Sequence, residues 1–268
     1  MAGVTVQDLH ISFPLYHASA RSLKKTVAAA ASNRLREGRL REARLREDGQ
    51  HRVVVNALRG VSFSLRPGDR LGLIGGNGAG KTTLLRALAG IYEPIVGHVT
   101  VSGELHTLLD TGLGMNMDLT GRENIGLRGL YAGLPPGSIA LLEDDVQAFA
   151  DLGEFLDMPV RTYSSGMVVR LGFALATAIH PQVLLMDEWF LAGDSGFMIK
   201  ARKRLEELVR KAEILVLSTH NSEVIASWCN RVIWLDQGAV RMDGPPAAVL
   251  AAYLGRPVVP AEELILEA

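Results

Sequence analysis

The chain has 268 residues, of which 48% are hydrophobic and 21% charged, with a formal net charge of -1 and a single cysteine, Cys229. That balance is globular rather than disordered or fibrous, and one cysteine excludes an internal disulfide framework. Near-neutral charge argues against a dedicated nucleic-acid binder. A membrane-spanning helix needs roughly 20 mostly apolar residues, and the best run, Phe173 to Met186, is broken by His180, Pro181 and Gln182. Asp8 and His10 interrupt the N-terminal run, so no signal peptide is expected. If the protein works at a membrane, another chain is expected to supply the spans.

In chain order, Val4 to Ile11 alternates apolar and polar residues and predicts a strand. A polar helical stretch is expected from about Arg21. Leu35, Leu40 and Leu45 then stand five apart among Arg and Glu, which makes no continuous helical stripe. A solvated helix or loop is expected from Arg34 to Asp48. Val61 to Leu65 reads as a strand ending in the turn Arg66-Pro67-Gly68-Asp69, and Arg70 to Ile74 as an apolar strand entering a glycine cluster. Leu119 to Leu156 is helical in pattern, broken at Pro135-Pro136-Gly137. Next come a helix from Ser165, a buried strand Val183 to Met186, an amphipathic helix around Lys200 to Arg210 and a buried strand Ile214 to Leu217. Val232 to Leu235 and Ala239 to Met242 form a hairpin around Asp236-Gln237-Gly238, and a short helix from Pro245 to Leu254 leads to a tail. Strands alternating with helices predict an α/β fold with a largely parallel sheet. With no internal repeat, one catalytic domain is expected.

Gly75-Gly76-Asn77-Gly78-Ala79-Gly80-Lys81-Thr82 fits the pattern G-x-x-x-x-G-K-[ST], after a strand and before the helix that begins near Thr83. Glycines let successive backbone N–H groups converge on phosphates, and the helix N-terminus adds its own N–H groups and positive dipole end. Lys81 is expected to bridge the β- and γ-phosphates, and Thr82 to ligate Mg²⁺.

Val183-Leu184-Leu185-Met186 delivers two consecutive carboxylates, Asp187 and Glu188, at the carboxyl end of an apolar strand. Neighbouring residues of an extended chain point apart, so Asp187 can face the metal while Glu188 polarises an attacking water. A helix cap would account for one carboxylate; a like-charged pair needs a nearby cation. His220, after the strand that starts at Ile214, is placed to hydrogen-bond the γ-phosphate.

In these parts the chain resembles the ATP-binding subunits of ABC transporters. Tyr163-Ser164-Ser165-Gly166-Met167 stands where that family has its L-S-G-G-Q signature, and Leu191-Ala192-Gly193-Asp194 where it has its D-loop. The resemblance covers nearly the whole chain from Val4 to about Leu254. It implies a P-loop ABC nucleotide-binding domain over residues 1–254, with an antiparallel β subdomain, an inserted α-helical subdomain at about 119–170 and a tail at 255–268. It also implies that the signature of one protomer faces the ATP of a second copy, so that a homodimer sandwiches two ATP molecules with Mg²⁺.

Several residues depart from the general family pattern. Ser165 replaces the first glycine of the signature and Met167 its glutamine, changes that spare the backbone donors. The usual Q-loop glutamine is absent, leaving Asp110, Thr111 and Asn116 as candidates. Phe13 or Tyr16 stands where an adenine-stacking aromatic is expected. Tyr-Ser-Ser-Gly-Met, Leu119-Thr120-Gly121-Arg122-Glu123-Asn124-Ile125 and Phe13-Pro14-Leu15-Tyr16 followed by Arg21-Ser22-Leu23-Lys24 resemble the polysaccharide-exporter branch. That resemblance implies a peripheral ATPase on the cytoplasmic face of a bacterial inner membrane, partnered by a polytopic permease that handles an O-antigen-like polysaccharide. The rivals are an exporter of another substrate and a soluble ABC ATPase of translation or DNA repair. Translation-type members fuse two cassettes and repair-type members insert a long coiled coil, and neither feature is present.

Overall fold

The computed structural model describes residues 1–14, 45–47, 53–109, 114–187 and 195–255. Its strands are β1 (Gly3–Pro14), β2 (Leu45–Glu47), β3 (Val53–Leu65), β4 (Arg70–Ile74), β5 (Val96–Ser102), β6 (Leu105–Leu108), β7 (Val183–Asp187), β8 (Ile214–Ser218), β9 (Arg231–Asp236) and β10 (Ala239–Gly244). Its α-helices are α1 (Lys81–Leu88), α2 (Gly121–Tyr131), α3 (Pro136–Ala150), α4 (Ser165–Thr177), α5 (Ser195–Lys211), α6 (Ser222–Trp228) and α7 (Pro246–Leu254). The chain divides into two compact units, Met1–Ser102 with Val216–Ala268, and Gly103–Leu215. No helix of the described residues is long and apolar enough to cross a membrane.

In the first unit, β1 is flanked by β3 and β5, both antiparallel to it, and β2 pairs with the outer edge of β3. Val4, Val6, Leu9 and Ile11 of β1 all face the core. The step from Val6 to Leu9 breaks simple alternation because Asp8, at φ 45°, sits where the register with β3 shifts. A bulged residue moves the inward set by one position. Gly60, at φ 65°, sits at the next register shift, between the Leu9–Val61 and Ile11–Leu58 pairs, and β3 runs through it from Val53 rather than starting at Val61. The expectation of a helix or loop from Arg34 to Asp48 is corrected at Leu45–Glu47, which pair as a strand with Val53–Val55. Three consecutive β-branched valines favour that pairing. The rest of the Arg34 to Asp48 run, and the helix expected from Arg21, lie outside the described residues. β4 runs parallel to β9, which folds back into β10. Leu71, Leu73, Leu84 and Leu85 are fully buried, each worth about 1.5–3 kcal/mol of apolar burial, and they fix the strand and helix on either side of the glycine cluster. Cys229 is buried, and burial pushes its thiol up to about 12, which leaves it unreactive.

In the second unit, β6 runs parallel to β7, with Leu108 opposite Met186, and Val183 to Met186 are buried throughout. Thr120 caps α2 through a reciprocal box with Glu123, and Pro136 opens α3 at its first position. Phe149 of α3, Phe173 of α4 and Phe197 of α5 form a ring cluster with centroids 5.7–5.9 Å apart. Arg204 of α5 lies over Phe149 at 4.4 Å and pairs with Asp145, while Lys200 donates to the Ala148 and Phe149 carbonyls at 3.0 Å. A cation on the last carbonyls of a helix opposes the negative end of its dipole. These contacts hold three helices as one body.

Candidate functional site

The glycine-rich loop leaves β4 at Gly75 and enters α1 at Lys81. Its ends, Gly75, Ala79 and Gly80, are buried, while Gly76, Asn77 and Gly78 form an exposed tip. At Gly75 (φ 147°) a Cβ would come within 2.2 Å of the Leu235 carbonyl oxygen. At Gly80 (φ 109°) it would lie 2.8 Å from both the Ala57 oxygen and Leu58 Cδ2. Only glycine fits a backbone held that closely. Gly80 is also the N-cap of α1 and supplies no side-chain cap, so no capping side chain stands between the helix start and a bound anion. Lys81 is 8% exposed, and its ammonium donates to the carbonyls of Gly75 (2.8 Å) and Gly76 (3.4 Å). The charge is thus lodged on the loop it serves. Thr82 is exposed and Thr83 half-buried at the start of the same helix.

Sequence reasoning read Asp236-Gln237-Gly238 as a turn and missed what the turn leans on. Gln237 (φ 51°) and Gly238 (φ 81°) are both left-handed, the geometry of a tight two-residue hairpin. The Gly238 N–H donates to the Ala79 carbonyl at 2.9 Å, and the Gly238 carbonyl accepts from the Arg59 N–H at 2.7 Å. Arg59 Nε adds a bond to the Gln237 carbonyl at 3.0 Å. Nothing in the linear sequence brings residues 59, 79 and 238 together.

Phe13 is half-buried near the end of β1, with its ring edge-on to Tyr92 at 5.0 Å. Tyr16, the other aromatic candidate, lies outside the described residues. His220 is exposed two residues beyond β8. Phe13, the loop and His220 all belong to the first unit.

Asp187 and the signature belong to the second unit. Asp187 is the last residue of β7 and is half-buried, whereas Glu188 and Asp194 lie outside the described residues. Tyr163 is buried, and its hydroxyl donates to the Phe155 carbonyl at 2.5 Å. Burial holds that phenol above its ordinary pKa. Tyr163 is thus an anchor for the segment. Ser164 caps α4 by accepting from the Met167 N–H at 3.3 Å, and Ser165 and Gly166 are exposed on the first turn. A Cβ on Gly166 would meet nothing within 4 Å.

The Leu119 to Ile125 stretch supports this end of the unit residue by residue. Gly121 lies beneath the Tyr163 hydroxyl, where a Cβ would come within 2.6 Å. Arg122 pairs with Asp157 (2.8 Å) and with Glu143, so its guanidinium is held above its usual pKa and the Asp157 carboxyl below its own. Buried Asn124 accepts from Asn116 N–H (2.8 Å) and donates to the carbonyls of Asn116 (3.0 Å) and Thr120 (2.8 Å). Of the three Q-loop candidates, Asp110 and Thr111 lie outside the described residues. Asn116 is exposed, with its amide oxygen accepting from the Asp118 N–H at 3.0 Å. Below the stretch, Arg128 donates to buried His106, whose pKa is lowered to about 4 by burial and then by the Arg128 charge.

A loop whose end glycines, Gly75 and Gly80, cannot carry a side chain, a helix start without a side-chain cap and a buried lysine define a P-loop nucleotide-binding protein. Thr82 at the start of α1 and Asp187 at the end of β7 each carry a hard oxygen of the kind that Mg²⁺ takes. A family model described as "ABC transporter" matches residues 58–191, half of the 268-residue chain. The chain is 38% identical over 240 residues to the O-antigen export system ATP-binding protein RfbE of Yersinia enterocolitica, covering 90% of this chain and 97% of that one. It is 41% identical over 200 residues to the O-antigen export system ATP-binding protein RfbB of Myxococcus xanthus. There it covers 75% of this chain but only 46% of the relative, so it spans about half that protein's length. A solved structure titled "Structure of ATP binding subunit of ABC transporter" superposes with a TM-score of 0.65 at 22% identity, covering 98% of each chain. The chain belongs to the ABC transporter family, and its fold is that of the family's ATP-binding domain.

Proposed function

We propose that this chain is the ATP-hydrolysing subunit of a bacterial exporter, and that its transported substrate is a lipid-linked, O-antigen-like polysaccharide. The observation that carries the substrate class is the near full-length similarity to an O-antigen export ATP-binding protein. The chain would work as a homodimer on the cytoplasmic face of the inner membrane, beneath a polytopic permease that handles the glycan.

The roles follow from the residues. The N–H groups from Gly75 to Thr83, apart from that of Ala79, which donates to the Gly76 carbonyl at 3.0 Å, bind phosphate oxygens, and Lys81 leaves its loop carbonyls for the β- and γ-phosphates. Thr82 and Asp187 would hold Mg²⁺, which when bound neutralises charge on the triphosphate. Glu188 takes the proton of the attacking water, and His220 steadies the γ-phosphate. Tyr163, as anchor, presents Ser164, Ser165, Gly166 and Met167 at the start of α4 to the ATP of the second copy. Phe13, or Tyr16, stacks on the base. Asp194 lies in the segment corresponding to the D-loop. Gly166 leaves room for the dimer reading: a Cβ there would meet nothing within 4 Å, so the start of α4 is open to a second copy's ATP.

Closure driven by ATP can then move the permease. Reversing a 1:99 equilibrium takes about 5.5 kcal/mol of differential affinity. Two to four charge-assisted hydrogen bonds made only on closure, at about 1.5–3 kcal/mol each, supply it. The test is Glu188→Gln: it should bind ATP, dimerise and stall. Full turnover by that variant, or a strictly monomeric ATP-bound form with the permease present, would sink the catalytic reading. Deleting the gene in its own host should strip surface polysaccharide; an unchanged surface glycan would sink the substrate class alone.

A further inference from the structure

We propose that the Gln237–Gly238 turn is a brace that aims the phosphate loop, with Gly238 and Arg59 as positioning residues for ATP binding. The inference rests on reading the loop as the ATP cradle.

The physical step concerns one peptide unit. The Ala79 carbonyl accepts from the Gly238 N–H at 2.9 Å, which fixes the oxygen on the hairpin side. No described peptide is cis, and a trans peptide holds its C=O and N–H in opposite directions. The Gly80 N–H is therefore turned away from the hairpin. Phosphate can reach the loop only from that opposite side, because the hairpin side is filled. There the Leu235 oxygen lies 2.2 Å from a Cβ at Gly75, and the Ala57 oxygen 2.8 Å from one at Gly80. One hydrogen bond behind the loop thus orients a donor in front of it.

The turn is itself held, so the aim is not soft. Arg59 reaches it twice, by its N–H to the Gly238 carbonyl at 2.7 Å and by Nε to the Gln237 carbonyl at 3.0 Å. Gly238 is buried, at φ 81°, with a Cβ position only 2.4 Å from the Ala57 oxygen. Any side chain there pushes the turn off β3 and pulls the Gly238 N–H from Ala79. All three anchors belong to the first unit.

The experiment compares wild type, Lys81→Ala, Gly238→Ala and Arg59→Met, each as the full chain. Thermal unfolding without ligand reports the fold, and the rise in Tm with MgADP reports the cradle by linkage. ATPase assays with the permease present give KM and kcat. Arg59→Met keeps the main-chain bond and the side-chain stem, so its ligand-free Tm should stay within about 2 °C of wild type. Its Kd for MgADP should rise at least fivefold, and KM for ATP in step, with kcat within about twofold. Gly238→Ala should show a larger loss, at least tenfold. Should Gly238→Ala fail to fold, Arg59→Met decides alone. Wild-type affinity in Arg59→Met, or a fall in its kcat at unchanged KM, overturns the brace. Absence of any MgADP-dependent Tm rise in wild type, or an equal rise in Lys81→Ala, overturns the cradle reading instead.

Discussion

Two helix starts in this molecule look alike in sequence and differ in their surroundings. At α1 the cap is Gly80, without a side-chain bond, and the loop before it is walled in by Leu235, Ala57 and Gly238. At α4 the cap is Ser164, whose hydroxyl occupies the Met167 N–H, and the glycine two residues on faces open space. Gly75 and Gly80 of the first site are demanded by this chain's own backbone, and Gly166 is not. The sequence holds one walled glycine loop before α1 and one open helix start at α4, and under the proposed dimer a second copy's ATP would meet the open one.

The comparison can be broken first at Gly80. Gly80→Ala adds a Cβ 2.8 Å from a carbonyl oxygen at φ 109°. Left-handed strain and overpacking together should cost about 3 kcal/mol in urea unfolding, and MgADP binding should vanish with them. A loss below about 1 kcal/mol would mean that the wall behind the loop yields, and the claimed difference between the two sites would shrink accordingly.

A smaller effect separates the two units by pH. The buried cation of the first unit, Lys81, rests on carbonyl oxygens, whereas Arg128 of the second donates to a neutral imidazole. His106 has its pKa lowered from 6.5 to about 4. Its stabilising contribution is therefore complete above pH 6.5 and is lost as the pH falls from there toward 4, because only the unfolded chain gains the proton. Linkage gives about 2 kcal/mol lost between pH 7 and 5. Denaturant unfolding at the two pH values should show that slope in wild type and a flatter one in His106→Gln. An equal slope in both would assign the acid sensitivity elsewhere.

Much of the site was legible because its signals are local. The G-x-x-x-x-G-K-T spacing, the apolar run into Asp187 and the serine-glycine start of α4 each need only a few neighbouring residues. What failed was longer-range or too short to show a period. The strand expected from Val4 to Ile11 is there as β1, but Leu9 follows Val6 into the core only through the bulge at Asp8, which strict alternation does not show. β5 is largely exposed and α6 has seven residues, so neither carries a buried face long enough to read. The turn at Gly238 was visible, but its hold on Ala79 was not, since a sequence separation of 159 residues leaves no pattern. Asn124 was legible only as part of a resemblance; its job of tying Asn116, Thr120 and the start of α2 together belongs to tertiary structure.

The smallest expected effect on stability is the most informative about the open site. Gly166→Ala puts a methyl where nothing lies within 4 Å, and alanine is the better helix former. The chain without nucleotide should therefore be unchanged or more stable by a few tenths of a kcal/mol. If a second copy's ATP must approach that bare backbone, the same methyl should cut ATP-driven dimerisation and ATPase activity at least tenfold, about 1.4 kcal/mol at the closed state. The opposite signs are the point, because a fold defect lowers both readouts together. A Gly166→Ala chain with normal ATPase activity would leave the exposed glycine with no ligand to answer to, and the two helix starts would differ only in how they pack.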